Sequence, residues 1–396
     1  MRPIHIIVLT LCLLITILDG FDLQAIAFTS TRIMAEWTLA PGAMGLIFSA
    51  GLLGVGLGSF VLSPFADRFG RRPTLLAGLA AITIGMLAVW TTTTAAQLTT
   101  LRFVTGLGIG LLLPSQNTIV AEYTPERWQT LGVSLYATGY PIGGALSGAF
   151  APYLIEHFGW RSVYLFGGAA SAILLPAVAA WLPEPPEFLL MQKPRAALNP
   201  LAPFKTPLTQ RTVLISAAFF LLWVTSFFIT NWTPAILARA GLGPGASAAG
   251  GVMLTLGGAA GTVLIGVFAL RFALMRVCVV YLSGSFVMAL VFGLDGSNVS
   301  INLVCAVLGF LLIGAAVGLY AVVARIFPLE IRATGTGVAL AFGRAGAVVG
   351  LSVGGFLIGL DWSRASYVSV LAVPVLIAAV ATYALGPFLT TANGRS

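Results

Sequence analysis

Long apolar runs separated by short polar segments dominate the sequence. A membrane-spanning helix needs about 20 predominantly apolar residues, and twelve runs come near or above that length. They fall at 3–28, 43–64, 73–92, 97–121, 129–152, 160–182, 211–236, 247–270, 274–294, 299–325, 332–359 and 365–389. The pattern predicts an all-α integral membrane protein with twelve transmembrane helices.

One polar stretch interrupts this pattern for longer than any other. Residues 183–210 begin with Pro183-Glu184-Pro185-Pro186 and contain further prolines and basic residues, which disfavour a helix. We therefore expect an N-terminal six-helix half at 1–182, a cytoplasmic linker at 183–210 and a C-terminal six-helix half at 211–396.

The two halves also look like copies of each other. Asp67-Arg68 aligns with Leu270-Arg271 at an offset of 203 positions. Pro125 and Gly132 align with Pro328 and Gly335 at the same offset. Two separate matches at one offset indicate an internal duplication, which is common among secondary transporters.

Composition excludes most soluble proteins. Hydrophobic residues make up 58% and charged residues 8% of the 396 positions, and the mean hydropathy is +1.00. Soluble domains carry about 25% charged residues, so a cytosolic enzyme, a secreted domain and a nucleic-acid-binding protein are excluded. Of the 20 basic residues, fourteen fall on the N-terminal side of the twelve-span topology and four on the other. This bias predicts cytoplasmic termini.

Glycines recur at the spacing that lets helices approach closely. Pairs four residues apart include Gly54/Gly58, Gly139/Gly143 and Gly257/Gly261. Lipid supplies little hydrophobic drive for helix association, so such small faces carry the packing. The glycine pattern is compatible with two interpretations: ordinary tight helix packing, or smooth helix faces that let the two halves slide past each other.

Two acids in the first span are the strongest candidates for chemistry. Asp19 and Asp22 are three residues apart and share one helix face. An intramembrane carboxylate is costly, and two neighbours repel each other when both are ionised, so the pair favours holding a proton. Asp22 and Arg102 lie roughly 9 Å and 8 Å from the outer ends of their predicted spans. We expect Arg102 to stabilise an ionised Asp22; a purely structural ion pair is the alternative.

A lone cation in the second half suggests where an anion binds. Arg344 lies about 18 Å into its span, and no acid falls inside a span of that half. Its planar fork suits a carboxylate, although backbone carbonyls could also occupy it. Further candidates for a substrate ring or its hydroxyl are Tyr136, Tyr140, Gln116, Asn117, Trp223, Phe227, Trp232 and Tyr320.

Two motifs resemble signatures of the major facilitator superfamily. The segment Ser63-Pro64-Phe65-Ala66-Asp67-Arg68-Phe69-Gly70-Arg71-Arg72 resembles its loop signature after span two, and Arg102-x-x-x-Gly106-x-Gly108-x-Gly110 is similar to its fourth-span signature. Three further segments resemble the aromatic acid:H⁺ symporter branch, including the transporters of 3-(3-hydroxyphenyl)propionate and 4-hydroxybenzoate. They are Asp19-Gly20-Phe21-Asp22, Asn231-Trp232-Thr233-Pro234 and the region from Pro328 to Gly346.

The resemblance implies a bacterial inner-membrane transporter that imports an aromatic carboxylate with protons by alternating access. It implies proton-coupling roles for Asp19, Asp22 and Arg102 and a conformational latch in the loop after span two. The latch candidates are Asp67, Arg68, Arg71, Arg72, Glu122 and Arg127. An organic-anion or drug exporter and a sugar-acid symporter are the alternatives. We expect a monomer whose partners are its substrate, protons and lipid, with no enzymatic activity, cofactor, metal or nucleic acid.

Overall fold

The computed structural model describes residues 3–62, 69–124, 135–136, 138–184, 204, 208–294, 298–327, 332–360 and 362–386. Within these ranges the chain forms twelve α-helices and no strand. The chain divides into two compact units, Met1–Arg195 and Ala196–Ser396. Most of the predicted linker 183–210 lies outside the described residues.

Each unit contains six of these helices. Those of the first unit are α1 (Pro3–Glu36), α2 (Pro41–Leu57), α3 (Arg71–Ala88), α4 (Ala95–Tyr123), α5 (Gly139–Phe158) and α6 (Arg161–Trp181). Those of the second unit are α7 (Thr209–Arg239), α8 (Pro244–Arg271), α9 (Leu274–Gly293), α10 (Asn298–Ile326), α11 (Arg332–Gly359) and α12 (Arg364–Ala384). A π-helical segment, Gly58–Leu62, follows α2.

Length and composition allow most of these helices to cross a membrane. In the described part of the chain, ten helices are long and apolar enough to do so, and α2 is a shorter apolar helix. The remaining helix, α5, is rich in glycine and contains Pro152 and His157, which lower its hydropathy. The chain is therefore a multi-pass membrane protein, as its sequence predicts.

Helices pair in the same order in both units. In the first unit α1 packs on α5, α2 on α4, and α3 on α6. In the second unit α7 packs on α11, α8 on α10, and α9 on α12. The two units are thus structural repeats, in agreement with the predicted internal duplication.

Individual glycine contacts repeat at the predicted offset of 203 positions. A Cβ atom at Gly54 would overlap the carbonyl oxygen of Phe103, and one at Gly257 would overlap that of Ala306. Three other pairs of glycine–carbonyl contacts follow the same rule: Gly58–Leu107 with Gly261–Phe310, Gly106–Gly51 with Gly309–Leu254, and Gly143–Ile17 with Gly346–Phe220. The glycine spacing in the sequence therefore marks close helix packing.

Several helix boundaries differ from the prediction, and two of them have a clear local cause. Helix α1 extends to Glu36, eight residues beyond the predicted end of the first span. The polar residues that suggested an end are accommodated by the helix itself, because Thr29 and Ser30 donate hydrogen bonds to the carbonyls of Ala25 and Ala27. Helix α5 ends at Phe158 rather than at the predicted residue 152. Gly159 follows it with φ 81°, a conformation that ends a helix.

Candidate functional site

A buried ion pair joins the first and fourth helices of the first unit. The Nη1 atom of Arg102 on α4 donates to Oδ1 of Asp22 on α1 across 2.7 Å. The side chains of Arg102 and Asp22 are 3% and 0% exposed. The contact expected between these two charges is present. Because α1 extends to Glu36, Asp22 lies about 21 Å from the end of that helix, more than twice the predicted distance.

The pair uses only part of its hydrogen-bonding capacity. Among the described residues, Oδ2 of Asp22 and Nε of Arg102 have no hydrogen-bond partner. A guanidinium and a carboxylate in their most favourable arrangement form two parallel bonds. The Thr105 hydroxyl also lies close to the Asp22 carboxylate, and the Nε–H group of Arg102 is left able to donate elsewhere.

Asp19 lies almost one turn before Asp22 and has a different environment. Its side chain is 1% exposed, and neither carboxyl oxygen has a hydrogen-bond partner within the described ranges. The side-chain amide of Gln116 lies close enough to interact with the Asp19 carboxyl group, and its oxygen accepts a bond of 3.0 Å from Thr16. A buried carboxylate without a partner is very costly, and binding a proton removes that cost.

The two tyrosines of the fifth span have different surroundings. Tyr136 is 4% exposed and in electrostatic contact with Asp19. Tyr140 is 37% exposed, and its backbone packs where a side chain at Gly20 would lie. Residues four apart share one face of a helix, yet Tyr136 is buried and Tyr140 is exposed.

The same backbone positions carry other residues in the second unit. At an offset of 203, Leu222 corresponds to Asp19, Thr225 to Asp22 and Cys305 to Arg102. All three are buried, and Thr225 donates to the carbonyl of Leu371 across 2.7 Å. The acid–arginine arrangement therefore belongs to the first unit alone.

The second unit contains a pocket around a guanidinium. Arg344 on α11 lines it together with Leu340, Trp223 on α7 and Tyr320 on α10. Arg344 is half-buried, and no ion pair to it is found in the part of the chain that the structure describes. A cation and two aromatic rings around one small space suit an anion attached to a ring.

Packing behind the pocket holds its aromatic walls. The Tyr320 ring meets Phe219 edge-on with centroids 5.3 Å apart, and Trp223 contacts Phe227 at 5.0 Å. Trp232, predicted as a ring contact, lies in the core instead: it is fully buried, and its indole N–H donates to the carbonyl of Leu351. The side chain of Asn117 lies outside the described residues.

A separate polar cluster surrounds the start of α3. Arg71 forms an ion pair with Glu122. The backbone N–H groups of Arg71 and Arg72 donate to the two carboxyl oxygens of Glu184 at 2.6 and 3.0 Å, and the Tyr123 hydroxyl donates to the Glu184 carbonyl. Glu184 therefore caps the positive end of α3.

Only some residues of this cluster were predicted from the sequence. Arg71, Arg72 and Glu122 are brought together, whereas Asp67, Arg68 and Arg127 lie outside the described residues. Glu184 was assigned to the linker because nothing local signals its partner, which is 113 positions away along the chain. The only sequence hint was an acid directly after the last apolar residues of span six. Leu340 in the Arg344 pocket was also missed.

Two repeated six-helix units with ionisable side chains buried inside apolar helices define a class, the secondary transporters of membranes. Within that class, the model of the Major Facilitator Superfamily matches residues 12–321. The chain belongs to this superfamily.

Several curated relatives match over nearly the whole chain. The 4-hydroxybenzoate transporter PcaK of Pseudomonas putida is 32% identical, covering 96% of this chain and 92% of the relative. The 3-(3-hydroxy-phenyl)propionate transporter of Escherichia coli is 31% identical, covering 95% and 92%. The gallate transporter of Pseudomonas putida is 29% identical, covering 96% and 91%.

Solved structures show the same fold at lower identity. The inward-open xylose transporter XylE of E. coli superposes with a TM-score of 0.76 and 16% identity, covering 97% of this chain and 96% of the other. The nucleoside transporter NupG superposes with a TM-score of 0.78 and 16% identity, covering 97% and 100%. These similarities establish the architecture.

Proposed function

We propose that this protein imports small aromatic carboxylates together with protons by alternating access. It would lie in the inner membrane of a bacterium with both termini in the cytoplasm, as the excess of basic residues on that side favours. The substrate class is supported by relatives about 30% identical that are named as transporters of 4-hydroxybenzoate, hydroxyphenylpropionate and gallate.

The observation that supports proton coupling is the buried carboxyl group of Asp19, which has no ion-pair partner among the described residues and lies beside the Asp22–Arg102 ion pair. Two negative charges and one positive charge in a dry environment leave one carboxylate uncompensated. A proton neutralises it at low cost. Loss of that proton restores the penalty, so the helices around Asp19 would rearrange with its protonation state.

Recognition of the substrate would fall to the Arg344 pocket. The guanidinium would bind the carboxylate, since it has no ion-pair partner within the described ranges. Trp223 and Tyr320 would contact the ring, where an aromatic pair contributes about 0.5–1.5 kcal/mol beyond the area it buries. Non-aromatic acids would lack that contribution and bind more weakly.

The energetics of such a cycle are sufficient. Each positive charge that moves inward contributes about 2.3 kcal/mol per 100 mV of membrane potential. A tenfold accumulation of substrate costs about 1.4 kcal/mol. Symport of two protons with one monoanion would therefore use the membrane potential, whereas one proton would use the pH gradient alone.

Uptake into proteoliposomes tests this proposal. We expect radiolabelled 4-hydroxybenzoate and 3-(3-hydroxyphenyl)propionate to accumulate when the outside is made acidic, and a protonophore to abolish the accumulation. A sugar acid provides the control for substrate class. Uptake of the aromatic acids at the same rate with and without the proton gradient would contradict symport. Preferential uptake of the sugar acid would contradict the substrate class.

A further inference from the structure

The Arg344 pocket borders a glycine whose missing side chain makes room for an aromatic wall. A Cβ atom at Gly343 would lie 2.7 Å from Cδ1 and 3.0 Å from Nε1 of Trp223. It would also lie 3.5 Å from Cδ1 of Phe219. The indole thus rests directly on the backbone of α11, next to the residue that carries the guanidinium.

The repeat relationship shows that this arrangement is particular to the second unit. At the offset of 203, Gly20 corresponds to Trp223 and Tyr140 to Gly343. In the first unit the glycine is on the first helix and the aromatic residue on the fifth. In the second unit the large and the small residue have exchanged helices, so the indole of Trp223 on α7 packs against Gly343 on α11.

From this contact we infer that Gly343 is a positioning residue for substrate selection, because it sets where the Trp223 indole stands beside Arg344. The inference rests on the proposed function. The ring of a bound acid would occupy the space between the indole and Tyr320, so the position of the indole would determine which ring sizes fit. Gly343 itself would contact no substrate.

The substitution Gly343→Ala tests this role. The added methyl group would displace the indole, since 2.7 Å is shorter than side-chain carbons tolerate, and an indole can move where a backbone cannot. Binding of benzoate and of the larger 2-naphthoate would be measured on purified protein. We expect the ratio of their Kd values to change by about tenfold, the scale of a methyl-sized change in a hydrophobic pocket.

Two further variants separate positioning from loss of structure. Gly337→Ala makes the same change on α11 where nothing lies within 4 Å, and it should leave the ratio unchanged. In a Trp223→Ala background the overlap is absent, so adding Gly343→Ala should cause no further change in the ratio. The thermal midpoint Tm of every variant would be measured alongside.

The outcomes are distinguishable. An unchanged ratio in Gly343→Ala, or an equal change in Gly337→Ala, would overturn the positioning role while leaving aromatic-acid transport intact. Failure of the wild-type protein to bind either acid would overturn the proposed function, and this inference with it.

Discussion

Arg102 and Asp22 meet through one hydrogen bond of 2.7 Å, and both side chains are almost completely buried. A pair of this kind is stable only while both partners remain, because the charge left by removing one has no solvent to stabilise it. The same geometry makes the pair responsive to any proton or anion that reaches it.

We predict that Asp22→Asn abolishes accumulation of substrate and lowers stability. The remaining Arg102 becomes a buried, uncompensated cation, which costs about 3–5 kcal/mol. Loss of accumulation would be measured in proteoliposomes and stability from the Tm. The double variant Asp22→Asn/Arg102→Gln should recover the Tm without recovering accumulation. Normal accumulation in either variant would exclude this pair from coupling.

Asp19→Asn should behave differently, since no ion pair to Asp19 is found among the described residues and its polar neighbour Gln116 is uncharged. Replacing an unpaired acid by a neutral amide of similar size leaves no opposite charge exposed to the interior. We expect an unchanged or raised Tm together with loss of proton-driven accumulation. Exchange of labelled for unlabelled substrate, which needs no net proton movement, should persist. A clear fall in Tm would indicate that Asp19 has a structural partner.

Arg344→Lys should weaken binding of aromatic carboxylates by at least about tenfold, because an ammonium group lacks the planar fork that binds two carboxylate oxygens. Equilibrium binding of benzoate measures the effect. The uncharged analogue benzamide should lose much less affinity, which separates recognition of the carboxylate from recognition of the ring. Equal losses for the two ligands would assign Arg344 to packing.

Glu184→Ala should destabilise the first unit by about 1 kcal/mol, the usual effect of losing a side chain that caps a helix N-terminus. The backbone N–H groups of Arg71 and Arg72 lose their acceptor. Glu156→Ala is a matched control, because Glu156 is exposed near the end of α5. Equal Tm values for the two variants would show that the cap contributes nothing.

The sequence alone predicted the twelve helices and their division into two repeated units. The twelve apolar runs follow from the thickness of the bilayer, which sets the length of each span. The duplication and its offset were read from residue matches between the two halves. Boundaries were less accurate because Thr29 and Ser30 satisfy their hydroxyl groups within α1, which a hydropathy pattern cannot detect.

Ionisable residues of the candidate site were easier to name from the sequence than its aromatic residues, because contacts made in the tertiary fold leave little local pattern. Ionisable residues inside apolar runs are conspicuous, so Asp19, Asp22, Arg102 and Arg344 could be named from the sequence. The structure places Arg102 against Asp22, and the roles of all four in transport stay predictions. Aromatic residues are common in membranes, and only packing distinguishes Trp223 in the pocket from Trp232 in the core. The partnership of Glu184 with α3 depends on the tertiary fold, and the position of this acid after span six did not identify its partner.

The glycine–carbonyl contacts recur in the two units at an offset of 203 residues, and this has a consequence for how the two units can differ in sequence. They fix the framework of each copy through backbone atoms, which substitutions elsewhere on the helices do not alter. The residues at the ionisable positions are therefore free to differ between copies. Under the proposed function, substitutions in the Arg344 pocket of the second unit would change the substrate, while the proton-coupling residues of the first unit stayed the same.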